Sequence, residues 1–233
     1  MPLAVKRFAV SYEFSAGLIS QKSKLKSTVA SPTIFLCAPI QFPAKDNLSE
    51  LPGTESEVNT IANLFSGNST SLKFMDANEE YVKSGTLSKF NYLHFATHGI
   101  VDEADPELSR VFLQTSQNED GNLFAGEIYN LNLNAELAVL SACQTGLGKF
   151  SKGEGVIGLS RALVYAGAKN IIVSFWSVAD ESTAQLMTDF YSNLIASKNK
   201  NFRETLQQAK VTMISKGKYA LPYYWAPFIL IGF

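Results

Sequence analysis

Tyr92-Leu93-His94-Phe95-Ala96-Thr97-His98-Gly99 is a short apolar run that stops at a histidine and a glycine. An unbroken apolar run of this length reads as a strand covered on both faces. Ala135-Glu-Leu-Ala-Val-Leu-Ser-Ala142 has the same character and ends at Cys143. Working outward, Thr33-Ile-Phe-Leu-Cys-Ala-Pro-Ile40, Ser71–Met75, Asn170–Val178 and Trp225–Phe233 complete a set of short strands. Helical periodicity fills the gaps. Thr54 stands three residues before Glu57, a capping-box spacing, and Val58, Ile61, Ala62 and Phe65 then share a face. Glu79–Phe90 reads as a weaker helix and Ala125–Leu131 as a short one. Val156, Leu159, Leu163 and Ala166 mark a well-buried helix, Asp180 caps another, and Phe202, Leu206, Ala209 and Met213 mark a last one. Arg110–Leu123 carries a hairpin signal around Asn118-Glu-Asp-Gly121. Strands that alternate with helices predict an α/β sandwich with a mainly parallel sheet.

In such a sheet the site lies at the carboxyl ends of the central strands. His98 and Cys143 each occupy such an end, 45 residues apart, room for a crossover with an inserted hairpin. A free thiol is mostly protonated at neutral pH, and a nearby imidazole can take its proton. The pattern therefore points to Cys143 as nucleophile and His98 as general base and then acid. The backbone N–H groups of Gly99 and Cys143 would form an oxyanion hole. The reaction class is acyl transfer to cysteine followed by hydrolysis. A packed thiol is the alternative reading of Cys143. His94 lies inside its strand and reads as a hydrogen-bonded core group, and Cys37 as a core residue. The pair His94/His98 lacks the glutamate and the helix of a zinc-protease motif, so no metal is expected. The glycine-rich turn after Cys143 has no P-loop lysine.

Composition bounds the rest. The chain has 233 residues, 46% hydrophobic and 18% charged, with a formal net charge of −1. That excludes a disordered chain and gives no basic excess for nucleic acid. Two cysteines make no disulfide framework, and a cytoplasmic setting is expected. The apolar stretch from Val156 to Ala179 carries Arg161 and Lys169, so no bilayer crossing and no membrane partner are expected. Residues 1–31 read as an N-terminal strand, from the alternation of Phe8, Val10, Tyr12 and Phe14, and a polar connection. Residues 32–233 read as the main domain.

YLHFATHG, LSACQTGLG, KGEGVIGLSRALVYAGAKNIIVSFWSVAD and YYWAPFILIGF together resemble the CHAT peptidase domain, a caspase-like relative of legumain, gingipain and separase. LPGTESEV resembles the start of that family's first core helix. The resemblance runs from about Thr33 to Phe233. It implies a three-layer α/β/α caspase-like sandwich whose last strand is antiparallel. It also implies endopeptidase activity on proteins with no cofactor, a Cys143–His98 dyad, and an oxyanion role for Gly99. CHAT domains commonly accompany tetratricopeptide or other sensor regions, so a regulatory region or protein is an expected partner. In this peptidase group the residue two before the cysteine often lines the specificity pocket. Here it is Ser141, which selects no charge, whereas Asp180, if it lines the pocket, would favour a basic side chain. A latent caspase-like scaffold that acts by protein binding is the competing function, and a small-molecule amidase needs the same dyad.

Overall fold

The structure, a computed structural model, describes residues 3–15, 17, 31–102, 104–141, 154–197 and 201–232, with side chains in the helix at 154–165 described from 158 onward. Five strands carry the centre: β1 (Ile34–Ala38), β2 (Ser69–Lys73), β3 (Tyr92–Phe95), β7 (Leu137–Leu140) and β8 (Ile171–Ser174). They are parallel in the order β2-β1-β3-β7-β8, and β9 (Phe228–Ile231) closes the edge antiparallel to β8. Every residue of β1, β3, β7, β8 and β9 is buried, which is why these segments are apolar on consecutive residues. β2, on the opposite edge, is only half-buried and reads STSLK.

Alternation across the pleat sorts the strand residues into two cores. Ile34, Leu36, Tyr92, Leu137, Val139 and Ile172 meet the helices α1 (Pro52–Leu64), α5 (Asp180–Ala196) and α6 (Phe202–Lys216). Phe35, Cys37, Leu93, Phe95, Ala138 and Val173 face the other way, toward α4 (Glu154–Tyr165) and the short α2 (Glu79–Lys83). The result is three layers, helices on both faces of one sheet. Beside them β4 (Gly99–Ile100), β5 (Arg110–Phe112) and β6 (Asn122–Phe124) form a small antiparallel sheet, which is the expected hairpin plus one strand. Short helices α3 (Ala125–Ile128) and α7 (Pro222–Trp225) follow β6 and precede β9. Among the described residues no helix is long and apolar enough to cross a membrane.

Four local expectations change. The helix expected over 79–90 breaks at Gly85, which takes φ 79°, and resumes as a 3-10 turn over Thr86–Lys89. No capping box forms at Thr54 and Glu57. Pro52 opens α1 after Leu51, so Thr54 is already helical, and its hydroxyl donates to the Leu51 carbonyl at 2.6 Å. Ala179, not Asp180, is the cap of α5, and Asp180 is its first helical residue. Finally, the alternation over Phe8–Phe14 gives one β-bridge, Tyr12 to Ile231, rather than a strand. Tyr12 N–H donates to Leu230 O, and Gly232 N–H to Tyr12 O, both at 2.8 Å. One step along that edge, the Phe228 carbonyl accepts from Lys210 Nζ at 2.5 Å, where a further strand N–H would otherwise bond.

Candidate active site

β3, β7 and β8 all end on the same side of the sheet, and the residues that follow them make a cleft. His98, Ser141 and Asp180 line it with Ser49, Leu51 and Ser174. Three of the residues singled out in the sequence are thus brought together. Cys143 lies outside the described residues, two positions beyond Ser141. The Ser141 N–H donates to Phe95 O at 3.0 Å, which ties the end of β7 to the end of β3. The cleft is about 210 Å³. That is below the ~300–1,000 Å³ usual for drug-sized ligands.

His98 is 2% exposed and held on three sides. Its backbone carbonyl accepts from Phe112 N–H at 2.9 Å, and the neighbouring Thr97 hydroxyl donates to the Phe112 carbonyl. β5 thus grips the chain on both sides of the histidine. The bond from Phe112 makes 98/112 a hydrogen-bonded pair, so the adjoining Gly99/Val111 pair is the other kind. The Gly99 N–H therefore points away from β5. The ring of Phe42 packs against the imidazole at 4.8 Å between centroids.

The imidazole nitrogens are not equivalent. Nε2 lies 2.7 Å from the backbone carbonyl of Ser49. A carbonyl only accepts, so Nε2 carries the hydrogen. Nδ1 is buried and has no partner among the described residues. In the neutral ring it therefore presents a lone pair. Burial lowers the imidazole below its usual range, and the Ser49 bond only partly opposes this. Burial thus favours the neutral imidazole, and the Ser49 bond fixes its tautomer.

Asp180 also lines the cleft, half-buried. Its Oδ2 accepts from Gly53 N–H in the first turn of α1 at 2.5 Å. Burial raises its carboxyl above the ordinary range, the Gly53 bond pulls it back, and Glu57 and Glu181 push it up again.

Behind the cleft is a network that the sequence reading missed. Glu57 turns into the core, where Oε1 accepts from His94 Nε2 at 2.7 Å. Tyr191 of α5 donates its hydroxyl to His94 Nδ1 at 3.3 Å. His94 is thus the hydrogen-bonded core group its mid-strand position predicts. Glu57 was hidden by its capping-box spacing. A second cluster, also unforeseen, joins Glu79, Glu119 and Glu127 around Lys83, whose Nζ lies 3.4, 2.6 and 2.8 Å from them. Among the described residues this is the one carboxylate group close enough to hold a metal ion, and the ammonium sits among its oxygens. Cys37 is fully buried, and burial drives its thiol far above the usual range.

A sheet of five parallel strands and one antiparallel edge strand, with a histidine at a central strand end, defines a caspase-like α/β fold. The chain matches the CHAT domain model over residues 3–233 and belongs to that family. Tetratricopeptide repeat protein 28 from Mus musculus is 31% identical over 110 residues, and that from Homo sapiens 33%. Those matches cover 47% of this chain, which spans about 4% of the length of either relative. Among solved structures, the Arg-specific cysteine proteinase gingipain R superposes with a TM-score of 0.57 at 13% identity, covering 86% of this chain and 45% of the other. The Saccharomyces cerevisiae separase–securin complex gives 0.56 at 12%, covering 93% and 13%. At these identities the likeness is one of fold.

Proposed function

We propose that the chain is a cysteine endopeptidase in which Cys143 is the nucleophile and His98 the general base and acid. One observation carries the reading. His98 commits Nε2 to a backbone carbonyl and leaves Nδ1 buried and without a partner among the described residues. That is how a base is prepared to take a proton from a group arriving beside it. The thiol proton passes to Nδ1 and the thiolate attacks the substrate carbonyl. The Gly99 and Cys143 N–H groups stabilise the oxyanion. His98 then protonates the leaving amine, and water hydrolyses the thioester with His98 again as base. No cofactor enters these steps.

Protein or peptide is the proposed substrate class, and the likeness in fold to a cysteine proteinase supports it. Asp180 on the wall favours a basic side chain, while Ser141 adds no charge preference. The relatives bearing tetratricopeptide repeats support a sensor region as the regulator of this domain. A cytoplasmic setting accords with the two cysteines.

The test is cleavage of a peptide library by wild type beside Cys143→Ala and His98→Ala, with the alkylation rates of Cys143 and Cys37 followed in parallel. Cleavage is expected to vanish in both variants, and Cys143 to react far faster than Cys37 except in His98→Ala. Undiminished cleavage in either variant refutes the assignment. Equal, slow alkylation of both thiols in wild type favours the scaffold.

A further inference from the structure

Two contacts join the same two segments of chain. One segment is β3 and its continuation, which carries His94 and His98. The other is Ser49–Leu51 running straight into α1, which carries the Ser49 carbonyl and Glu57. At the cleft His98 meets Ser49, and one layer below His94 meets Glu57, both at 2.7 Å. A second pair of contacts links these segments to α5. Asp180 takes the Gly53 N–H at the cleft, and Tyr191 reaches His94 below it. Glu57, His94 and Tyr191 are at most 1% exposed. Glu57 keeps Oε2 buried and without a partner among the described residues. Leaving a carboxylate oxygen so costs stability, and an apolar trio would fill the space without that cost.

We infer that Glu57, His94 and Tyr191 form a positioning relay that sets the first turn of α1 against β3, so that the Ser49 carbonyl fixes the tautomer of His98. The inference rests on the proposed role of His98 and extends it to three residues that never touch substrate. Apolar packing alone leaves a helix free to slide or roll by fractions of an ångström. A directional bond to a ring on the strand removes that freedom. The contact that matters is small, because Ser49 offers a backbone oxygen that can be aimed only by moving the whole segment. The Gly53–Asp180 bond moves with it, so His98 and Asp180 share one reference point.

The experiment separates positioning from stability. The double variant Glu57→Leu/His94→Phe, built in a Tyr191→Phe background so that the tyrosine hydroxyl bonded to His94 is not stranded, replaces the relay by apolar groups of similar size, so it should fold with a melting temperature near that of wild type. A misplacement of about 1 Å at a reacting group costs up to about a hundredfold. We expect kcat and the Cys143 alkylation rate to fall by about ten- to a hundredfold in this variant. KM should stay within about threefold. Glu57→Gln keeps an acceptor for His94 and should remain within about threefold of wild type in kcat. Tyr191→Phe deletes one hydroxyl without loss of packing and should lower kcat by about two- to fivefold.

Wild-type kcat in a folded double variant overturns the relay. So does a Glu57→Gln variant as impaired as the double one. If the double variant does not fold, an unchanged kcat in Tyr191→Phe overturns it instead. Failure of the underlying reading looks different, since wild type would then neither cleave peptide nor lose Cys143 alkylation in His98→Ala.

Discussion

Gly53→Ala separates the cleft wall from the stability of the fold. Gly53 is the second residue of α1, and a methyl group built there would lie 2.6 Å from Asp180 Oδ2 and 2.8 Å from its carboxyl carbon. Those atoms end a flexible side chain, so the carboxylate swings away and the backbone stays. The charge-assisted bond from Gly53 to Asp180 is lost, about 1.5–3 kcal/mol for such bonds, with the low end fitting a half-buried group. Alanine in a helix regains up to about 1 kcal/mol over glycine, less in a first turn. The net loss is about 1 kcal/mol, or about 2–4 °C in melting temperature for a chain of this size. The effect on substrate is larger. Truncating one partner of a buried charge pair costs about 2–5 kcal/mol, and partial exposure of Asp180 reduces that to about 1.4–2.7. Each ~1.4 kcal/mol is tenfold, so kcat/KM for peptides with a cleavage-site arginine should fall about ten- to a hundredfold. Alkylation of Cys143 by iodoacetamide, which needs no pocket, should be unchanged. The assay is steady-state cleavage of arginine and leucine peptides alongside thermal melts. Unchanged discrimination between the two peptides, or a melting temperature lowered by more than about 10 °C, would refute the account.

Three further perturbations follow from the same structure. Burial lowers the His98 imidazole from its ordinary value, which favours the neutral form that the proposed base needs. The acid limb of kcat/KM should therefore bend below pH 6.5, and a bend above pH 7 contradicts the assignment. Lys210, half-buried and bonded to the Phe228 carbonyl, has its pKa lowered to about 8 by desolvation. Between that value and the unfolded lysine value the unfolded chain binds the extra proton, so this residue makes stability rise as pH rises from about 8 to about 10.4. Lys210→Met should stabilise the protein by about 1–3 kcal/mol at pH 7, with an advantage that shrinks toward pH 10; denaturant melts across that range would test it. Lys83 is held charged by Glu119 and Glu127 against the cost of burial. Lys83→Met leaves three neighbouring carboxylates without their shared cation and should cost about 2 kcal/mol at pH 7, as denaturant melts of the two proteins would report.

The fold was legible where covering by helices on both faces forces apolar residues at every position. Ile34–Ala38, Leu137–Leu140 and Ile171–Ser174 announce themselves that way. His98 and Asp180 were legible because a strand end and a helix start are marked by local sequence. What stayed hidden depends on partners distant in the chain. Glu57 meets His94 across 37 residues, and Lys83 meets Glu127 across 44. The direction of β9 came from family resemblance, since an apolar run does not state which way it runs. The alternation of Phe8, Val10 and Tyr12 misled because it encodes a face. Whether a strand forms there depended on the edge it would join, and Lys210 already holds the next acceptor of that edge.

The Ser49–His98 contact has a consequence for how this candidate site varies. The oxygen that orients the imidazole belongs to the main chain, which every amino acid supplies. Position 49 can therefore drift through most of the genetic alphabet with no change at the imidazole, provided the loop keeps its path. A comparison that hunts for a third acidic member of a triad would find a blank column here. What inheritance must preserve is the course of a peptide, written in residues elsewhere.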